Sequence, residues 1–485
     1  MMDLSHSPLL QAISNNAEKF ANRVALIEGN SQVSYSELWK KIIDAASFLC
    51  YIGLQYGDNI ILSARKELEF VYIYFVAHLL GVRNVVIDPT SNDERKQYIV
   101  STVHPKCIFG FYCKNIQSID YRDVSFRMPI ISNLSKVSLH DVADIMFTTG
   151  TTGNPKGVLL THLNIYASAY NINNYMGNTS NDIELLGLPI CHSFGLGRLR
   201  CTLINGATIV ILGNFANIKL VFQAIEQYHV TMFGMVPAVW AYIKKFSGTK
   251  ISKYANQIKY IEIGSAAMQT SEKEELMKLF PNTRICMHYG LTEASRSTFI
   301  EFHQSKGHLN SIGKPVSSAV AIQIMDSMGK ECPVKTEGEI CVKGNMVISS
   351  YLLPEDNQNA FRDGFFRTGD WGYKDEDGFI YLTGRLKEMI NVGGKKVSPV
   401  EVENAIISLG IEDCVCVGID DPRGVLGQVV KAYLLKGTSN LTFEDIMISL
   451  MAKLEHFKVP VEYEWVDKIP KTLSGKKQRL LLCKK

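Results

Sequence analysis

Over the first 90 residues, apolar positions recur in two alternating rhythms. Ser34-Tyr35-Ser36-Glu37 has the form of a helix cap, a polar starter three residues before an acid able to reach back to it. The amphipathic run 38–50 predicts a helix, and Gly57-Asp58 predicts a turn after it. Ile60-Ile61-Leu62 and Val85-Val86-Ile87 are short apolar runs that predict strands. Between them, residues 70–82 form the most apolar stretch of the chain. It is too short to cross a bilayer and contains His78, so it predicts a buried helix. Strands alternating with helices predict an α/β architecture with buried parallel sheets. The pattern resumes after residue 140 and continues to about residue 300.

Beyond residue 310 short strands and tight turns take over. Gly338-Glu339-Ile340-Cys341-Val342-Lys343-Gly344 and Phe379-Ile380-Tyr381-Leu382 predict strands, and Asp375-Glu376-Asp377-Gly378 predicts a turn. A helix over 398–409, a strand over 414–419 and a last helix over 443–454 then predict a small α+β domain from Lys387 onward.

Composition narrows the class. The chain has 485 residues, 46% of them hydrophobic and 20% charged, an ordinary globular mix that excludes a disordered or fibrous chain. A net charge of +3 gives no reason to expect nucleic acid as a partner. No membrane span or signal peptide is predicted. Eleven cysteines without a Cys-x-x-Cys pair argue against a zinc site or a disulfide framework and fit reduced thiols in a cytoplasm.

The strongest chemical signal is the run Ile145-Met146-Phe147-Thr148-Thr149-Gly150-Thr151-Thr152-Gly153-Asn154-Pro155-Lys156-Gly157. An apolar strand enters a loop of hydroxyls and exposed backbone N–H groups, which can wrap a polyphosphate, and Lys156 adds a cation. The pattern is not the common phosphate-binding loop, because no Gly-x4-Gly-Lys-Ser/Thr occurs in it.

With this loop, six motifs in order make the chain resemble the adenylate-forming superfamily of acyl-CoA synthetases, luciferases and peptide-synthetase adenylation domains. The usual Thr-Ser-Gly of its loop is Thr148-Thr149-Gly150 here, which keeps the hydroxyl. Leu188-Pro189-Ile190-Cys191-His192-Ser193-Phe194-Gly195 resembles the motif bordering the carboxylate pocket. Gly264-Ser265-Ala266-Ala267-Met268 resembles the segment that packs on adenine and lines the acyl pocket. His288-Tyr289-Gly290-Leu291-Thr292-Glu293 matches the motif whose Tyr stacks on adenine, whose Thr lies at the phosphates and whose Glu binds magnesium. Arg367-Thr368-Gly369-Asp370 and Gly384-Arg385 resemble the ribose and phosphate contacts, and Lys387 falls at the family's hinge. Pro470-Lys471-Thr472-Leu473-Ser474-Gly475-Lys476 resembles the segment of the catalytic lysine.

The resemblance implies a large N-terminal domain, 1–385, of α/β subdomains with a small β-barrel-like subdomain. A small mobile α+β domain, 386–485, would follow and carry Lys476. The implied catalytic residues are Lys476, Thr292 and His192. Nucleotide contacts would come from Thr148, Thr149, Gly150, Thr151, Thr152, Gly153, Lys156, Gly264, Ser265, Ala266, His288, Tyr289, Gly290, Asp370 and Arg385. His192, Phe194, Val236, Gly264 and Met287 would shape the acid pocket, and Thr148 and Glu293 would hold Mg²⁺, a hard cation suited to oxygen ligands. Gly393 and Gly394 would lie on the thiol channel.

The implied reaction is ATP-dependent activation of a small-molecule carboxylic acid to acyl-AMP, with pyrophosphate leaving, then transfer to a thiol. Gly393-Gly394 with Pro399-Val400-Glu401-Val402-Glu403 resembles the acyl-CoA ligases and points to coenzyme A, with fatty acid metabolism one setting. The phosphopantetheine of an acyl-carrier protein is the alternative acceptor, and a non-catalytic nucleotide-binding regulator is the remote one. No Asp occurs over 188–200 to pair a substrate ammonium, which disfavours amino acids. Asn391 stands where luciferases carry a second lysine, which argues against oxidation of the adenylate. Arg198 and Arg200 admit two readings: a contact to an acidic substrate, phosphopantetheine or carrier surface, or a structural salt bridge.

Overall fold

The structure is a computed structural model that describes residues 7–124, 137–148, 155–386, 388–437, 439–471 and 477–482. The chain divides into two compact units. The first takes its described residues from 1–149, 155–321 and 342–366, the second from 322–341 and 367–485.

The first unit is built on two large sheets. One has six strands in the order Gln117–Ile119, Cys107–Phe109, Asn59–Ser63, Arg83–Ile87, Val142–Phe147 and Gly157–Thr161. Its strands are parallel except for the last, which returns antiparallel from the Thr/Gly loop. Ile61, Val85, Ile87, Ile108 and Ile145 are buried on this sheet, with Ile99 and Val103 packed against it. Burying each such side chain stabilises by about 1.5–3 kcal/mol. The other sheet has nine strands, with a parallel centre of Arg284–Tyr289, Tyr260–Ile263, Met232–Met235, Ile183–Leu186, Thr208–Ile211 and Val24–Glu28. Antiparallel strands close it on both sides.

Local signals act as predicted. Ser34 caps the helix Tyr35–Tyr51 by accepting from the Glu37 N–H, and Glu37 reaches back to the Ser34 N–H at 2.8 Å. The most apolar stretch is the buried helix Leu68–Leu80, ended by Gly81 at φ +68°. No described helix is long and apolar enough to cross a membrane.

In the second unit, residues 370–374 pair antiparallel with Ile380–Arg385. A hairpin of Ile390–Val392 with Lys395–Val397 follows. Then come the helix Pro399–Ile407 and a three-stranded sheet of Cys414–Asp420, Gln428–Leu435 and Glu462–Val466. Val397, Val402, Ile406, Cys414, Cys416, Ala432 and Leu434 make its core. This is the α/β body and small α+β part that the pattern predicts.

Candidate active site

In the first unit, Val142–Phe147 delivers Thr148 to the mouth of the Thr/Gly loop. The Thr148 N–H donates to the Lys156 carbonyl at 3.0 Å, and the Lys156 N–H donates to Thr148 Oγ1 at 3.2 Å. Arg95, which sequence reasoning passed over, donates to the Phe147 and Thr148 carbonyls at 3.3 and 3.2 Å. Thr149, Gly150, Thr151, Thr152 and Gly153 lie outside the described residues. Lys156 is paired with Asp356 at 3.0 Å and stands 5.1 Å from the Tyr351 ring centroid.

Tyr351 ties this loop to Glu293. Its backbone bridges Val158 on the strand leaving the loop, and its hydroxyl donates to Glu293 Oε1 at 2.8 Å. Burial and the adjacent carboxylate push the Tyr351 pKa up, so the phenol stays protonated and donates. Glu293 is buried, 9% exposed, and its carbonyl accepts from the Ile348 N–H. Nothing near Glu293 in the chain signals Tyr351, which is 58 residues away. Glu293 and Thr148 each offer side-chain oxygens. The Glu293 carboxylate and the Thr148 hydroxyl, itself accepting a backbone N–H, fit a hard divalent cation such as Mg²⁺.

Gly264 and Ser265 follow the strand Tyr260–Ile263, with Ala266 half-buried beyond them. Ser265 is held at φ +72°, a conformation that costs a non-glycine residue about 1–3 kcal/mol and recurs at functional sites. A Cβ on Gly264 would lie 2.1 Å from Cε1 and 2.2 Å from Nε2 of His288, so the imidazole is laid on the glycine face. Phe194 meets that ring edge-on at 4.6 Å and 89°. Gly264, His288 and Phe194 are thus brought together. Met287 pairs with Ile263 in register, and Val236 caps the helix Pro237–Ser247. Tyr289 ends its strand, followed by Gly290 and Thr292 in the turn leading to Glu293. Thr292 lines a small recess with Asn164, Ser168, Ser193, Arg200 and Ser295.

Beneath these residues lies a buried charge network that sequence reasoning did not identify. Glu262, 1% exposed, faces Arg296 Nε at 3.2 Å, Arg198 at 3.1 Å and His288 Nδ1 at 2.8 Å. Arg296 also donates to the Ser193 and Phe194 carbonyls at 2.9 Å each, anchoring the first turn of the helix Ser193–Ile204. Burial would raise the Glu262 carboxyl, but Arg296, His288 and Arg198 outweigh it and hold it well below the usual range. Burial pushes the His288 pKa down and keeps the ring neutral.

Of the two readings left open for Arg198 and Arg200, the structure selects the structural one. Arg198 grips Glu184 with Nε at 2.7 Å and a terminal nitrogen at 2.8 Å. Arg200 pairs with Asp144 and donates to the Tyr74 hydroxyl at 2.7 Å. Asp144 also accepts from Tyr74 at 2.8 Å and faces His78 at 2.9 Å. His192, by contrast, is exposed at the N-terminus of its helix, within 4.8 Å of ligand atoms on Cys191 and Asp88. Burial and Asp88 push the Cys191 thiol up to about 12, so it is protonated.

In the second unit, Asp370 and Arg385 are cross-strand partners. Arg385 Nε lies 2.6 Å from Asp370 Oδ1, with the carboxylate 1% and the guanidinium 43% exposed. The Asp370 N–H donates to Thr368 Oγ1 at 3.0 Å, which fixes the strand at this point. Gly393 and Gly394 turn the hairpin at φ +59° and +84°, a pair of left-handed residues that a two-residue turn of this hand requires. Lys387 and Lys476 lie outside the described residues. On either side of the lysine segment, Lys471 and Lys477 form a β-bridge. Lys471 pairs with Asp413 at 2.6 Å, and Lys477 with Asp413 and the buried Glu403 at 2.9 and 3.0 Å.

The comparisons agree with these motifs. The chain belongs to the AMP-binding enzyme family, whose model matches residues 13–352, and the model of the AMP-binding enzyme C-terminal domain matches residues 401–476. The reading of an adenylate-forming enzyme is borne out. The chain is 30% identical to 2-succinylbenzoate–CoA ligase of Bacillus licheniformis, over 96% of this chain and 98% of that protein. It is 34% identical to oxalate–CoA ligase of Saccharomyces cerevisiae, over 99% and 98%. O-succinylbenzoate coenzyme A synthetase of Bacillus subtilis, solved with ATP and magnesium ion, superposes with a TM-score of 0.85 at 27% identity, over 98% of this chain and 99% of that one.

Proposed function

We propose that this chain is an AMP-forming acid–thiol ligase that makes an acyl-CoA thioester. A carboxylate oxygen of the acid attacks the α-phosphorus of ATP, and the bond to the leaving pyrophosphate breaks. The thiol of coenzyme A then gives up its proton to solvent, its sulfur attacks the acyl carbon, and AMP leaves with the electron pair of the broken C–O bond. Two ligands of opposite need meet in the first step: two anions must approach, and charge must be drawn off as pyrophosphate departs.

The residues divide that work. Thr148 to Gly153 and Lys156 hold the phosphates. Glu293 and Thr148 hold Mg²⁺, which screens the triphosphate when bound. Tyr351 fixes the Glu293 carboxylate by donating to one of its oxygens. Tyr289, Gly264, Ser265 and Ala266 take the adenine, and Asp370 and Arg385 take the ribose. His192, Phe194, Val236 and Met287 border the acid, with Thr292 at the phosphates. Lys476 bridges acid and α-phosphate, and a domain of residues 386–485, turning about Lys387, brings Lys476 or the Gly393-Gly394 turn into play by turns. The free thiols among the described cysteines are in keeping with a cytoplasmic enzyme.

The observation that supports this reading is the link from the strand leaving the Thr/Gly loop through Tyr351 to the buried carboxylate of Glu293, two elements that the reading assigns to the triphosphate. The test is pyrophosphate release from ATP and Mg²⁺ over a panel of carboxylic acids, with CoA or an acyl-carrier protein added. Acid-dependent release with a thioester on CoA supports the proposal. A thioester formed only on the carrier protein moves the chain to the carrier-loading ligases. ATP binding without release for any acid makes it a nucleotide-binding regulator.

A further inference from the structure

Three neighbouring parallel strands of the nine-stranded sheet, Met232–Met235, Tyr260–Ile263 and Arg284–Tyr289, end beside the helix Ser193–Ile204 where the acid is proposed to bind. Two glycines at these strand ends face rings rather than open space. A Cβ on Gly234 would lie 2.9 Å from Leu188 Cδ1 and 3.2 Å from the Phe194 ring, and one on Gly264 would lie within the His288 imidazole. The two rings pack edge to face at 4.6 Å, and Phe299 closes on His288 at 5.7 Å. Phe194 is 5% exposed, and the His288 side chain 7%.

This filling is also locked. His288 Nδ1 sits 2.8 Å from Glu262 Oε1, and Glu262 is shared with Arg198 and Arg296. Glu184 and Glu262 balance those two guanidinium groups, so a neutral imidazole completes the network without adding charge. Swinging His288 aside to admit an alkyl chain would break its 2.8 Å polar contact with the buried Glu262 carboxylate and drive the ring into Phe194 or Phe299. A close-packed interior does not yield such volume cheaply.

We propose that His288, locked by Glu262 and backed by Phe194, sets the depth of the acid site, so that the substrate is a compact carboxylic acid rather than a long-chain one. This rests on the acid–thiol ligase reading above. Compact here means short aliphatic acids, dicarboxylic acids and acids of a single ring.

The experiment compares kcat/KM for pyrophosphate release with butanoate, hexanoate, succinate, benzoate, dodecanoate and hexadecanoate, in the wild type and in His288→Ala. The best compact acid is expected to exceed dodecanoate by about 100-fold in the wild type. His288→Ala is expected to shrink that ratio at least about tenfold, whatever activity it loses on all acids alike. Should His288→Ala fail to fold, His288→Asn, shorter but still polar beside Glu262, tests the same ratio. Dodecanoate used as well as every compact acid by the wild type, or a ratio unmoved by either substitution, would overturn the proposal. Release with no acid at all would overturn the ligase reading, and this proposal with it.

Discussion

Arg198→Met removes one charge from the buried network while keeping most of the side-chain volume. Arg198 is 2% exposed and grips Glu184, 1% exposed, with two nitrogens at 2.7 and 2.8 Å. After the change Glu262 keeps Arg296, but Glu184 keeps only the Thr202 hydroxyl and its neighbours. Removing one partner of a buried pair leaves an uncompensated charge and costs about 3–5 kcal/mol. The same change at the exposed pair Lys253–Glu226, whose side chains are 55% and 56% exposed, is expected to cost far less, because water solvates whichever charge is left. Urea unfolding followed by tryptophan fluorescence reads the difference, because Trp240 is fully buried in the first unit. With two units the transition of the first must be taken by itself, since a single two-state fit is not valid for the whole chain. The double variant Arg198→Met with Glu184→Met should recover most of the loss, since an apolar pair can replace a buried ion pair at little cost. Loss of less than about 1 kcal/mol in Arg198→Met, or a double variant no better than the single, would refute the argument that this pair is desolvated and mutually dependent.

Three more outcomes are expected. His162 is 1% exposed, and burial, aided by His78, pushes its pKa down from 6.5 to about 3. The unfolded chain therefore binds a proton that the folded one refuses, so stability is intact above pH 6.5 and falls toward pH 3, by up to about 1.4 kcal/mol per pH unit. His162→Gln should flatten the dependence of the urea midpoint over this window, and parallel curves would rule the group out. Glu293→Gln should lower pyrophosphate release about 100-fold or more and raise the Mg²⁺ concentration needed for half-maximal rate; an unchanged Mg²⁺ dependence would remove Glu293 from the metal site. Lys476→Ala should lose adenylation yet still form thioester from supplied acyl-AMP and CoA, and equal loss of both half-reactions would count against separate faces for the two steps.

Much of the fold was legible in the chain because its signals act over a few residues. The Ser34–Glu37 cap spans three positions, the apolar runs 60–62 and 85–87 became strands by their own composition, and Gly81 stopped its helix by its conformation. The order of the motifs likewise belonged to the sequence, and with it the family. Tertiary structure decided what those residues touch. Arg198 and Arg200 carried no local sign of their partners, because Glu262 and Asp144 lie 64 and 56 residues away. The same holds for Tyr351 on Glu293, and for His288 laid against Gly264 from the neighbouring strand. Periodicity and caps are set by neighbours along the chain, whereas a buried charge is stable only beside a partner that the folded sheets bring to it. The chain therefore determined which chemistry is present, and the packing of its strand ends decided how that chemistry is held and how much room is left beside it.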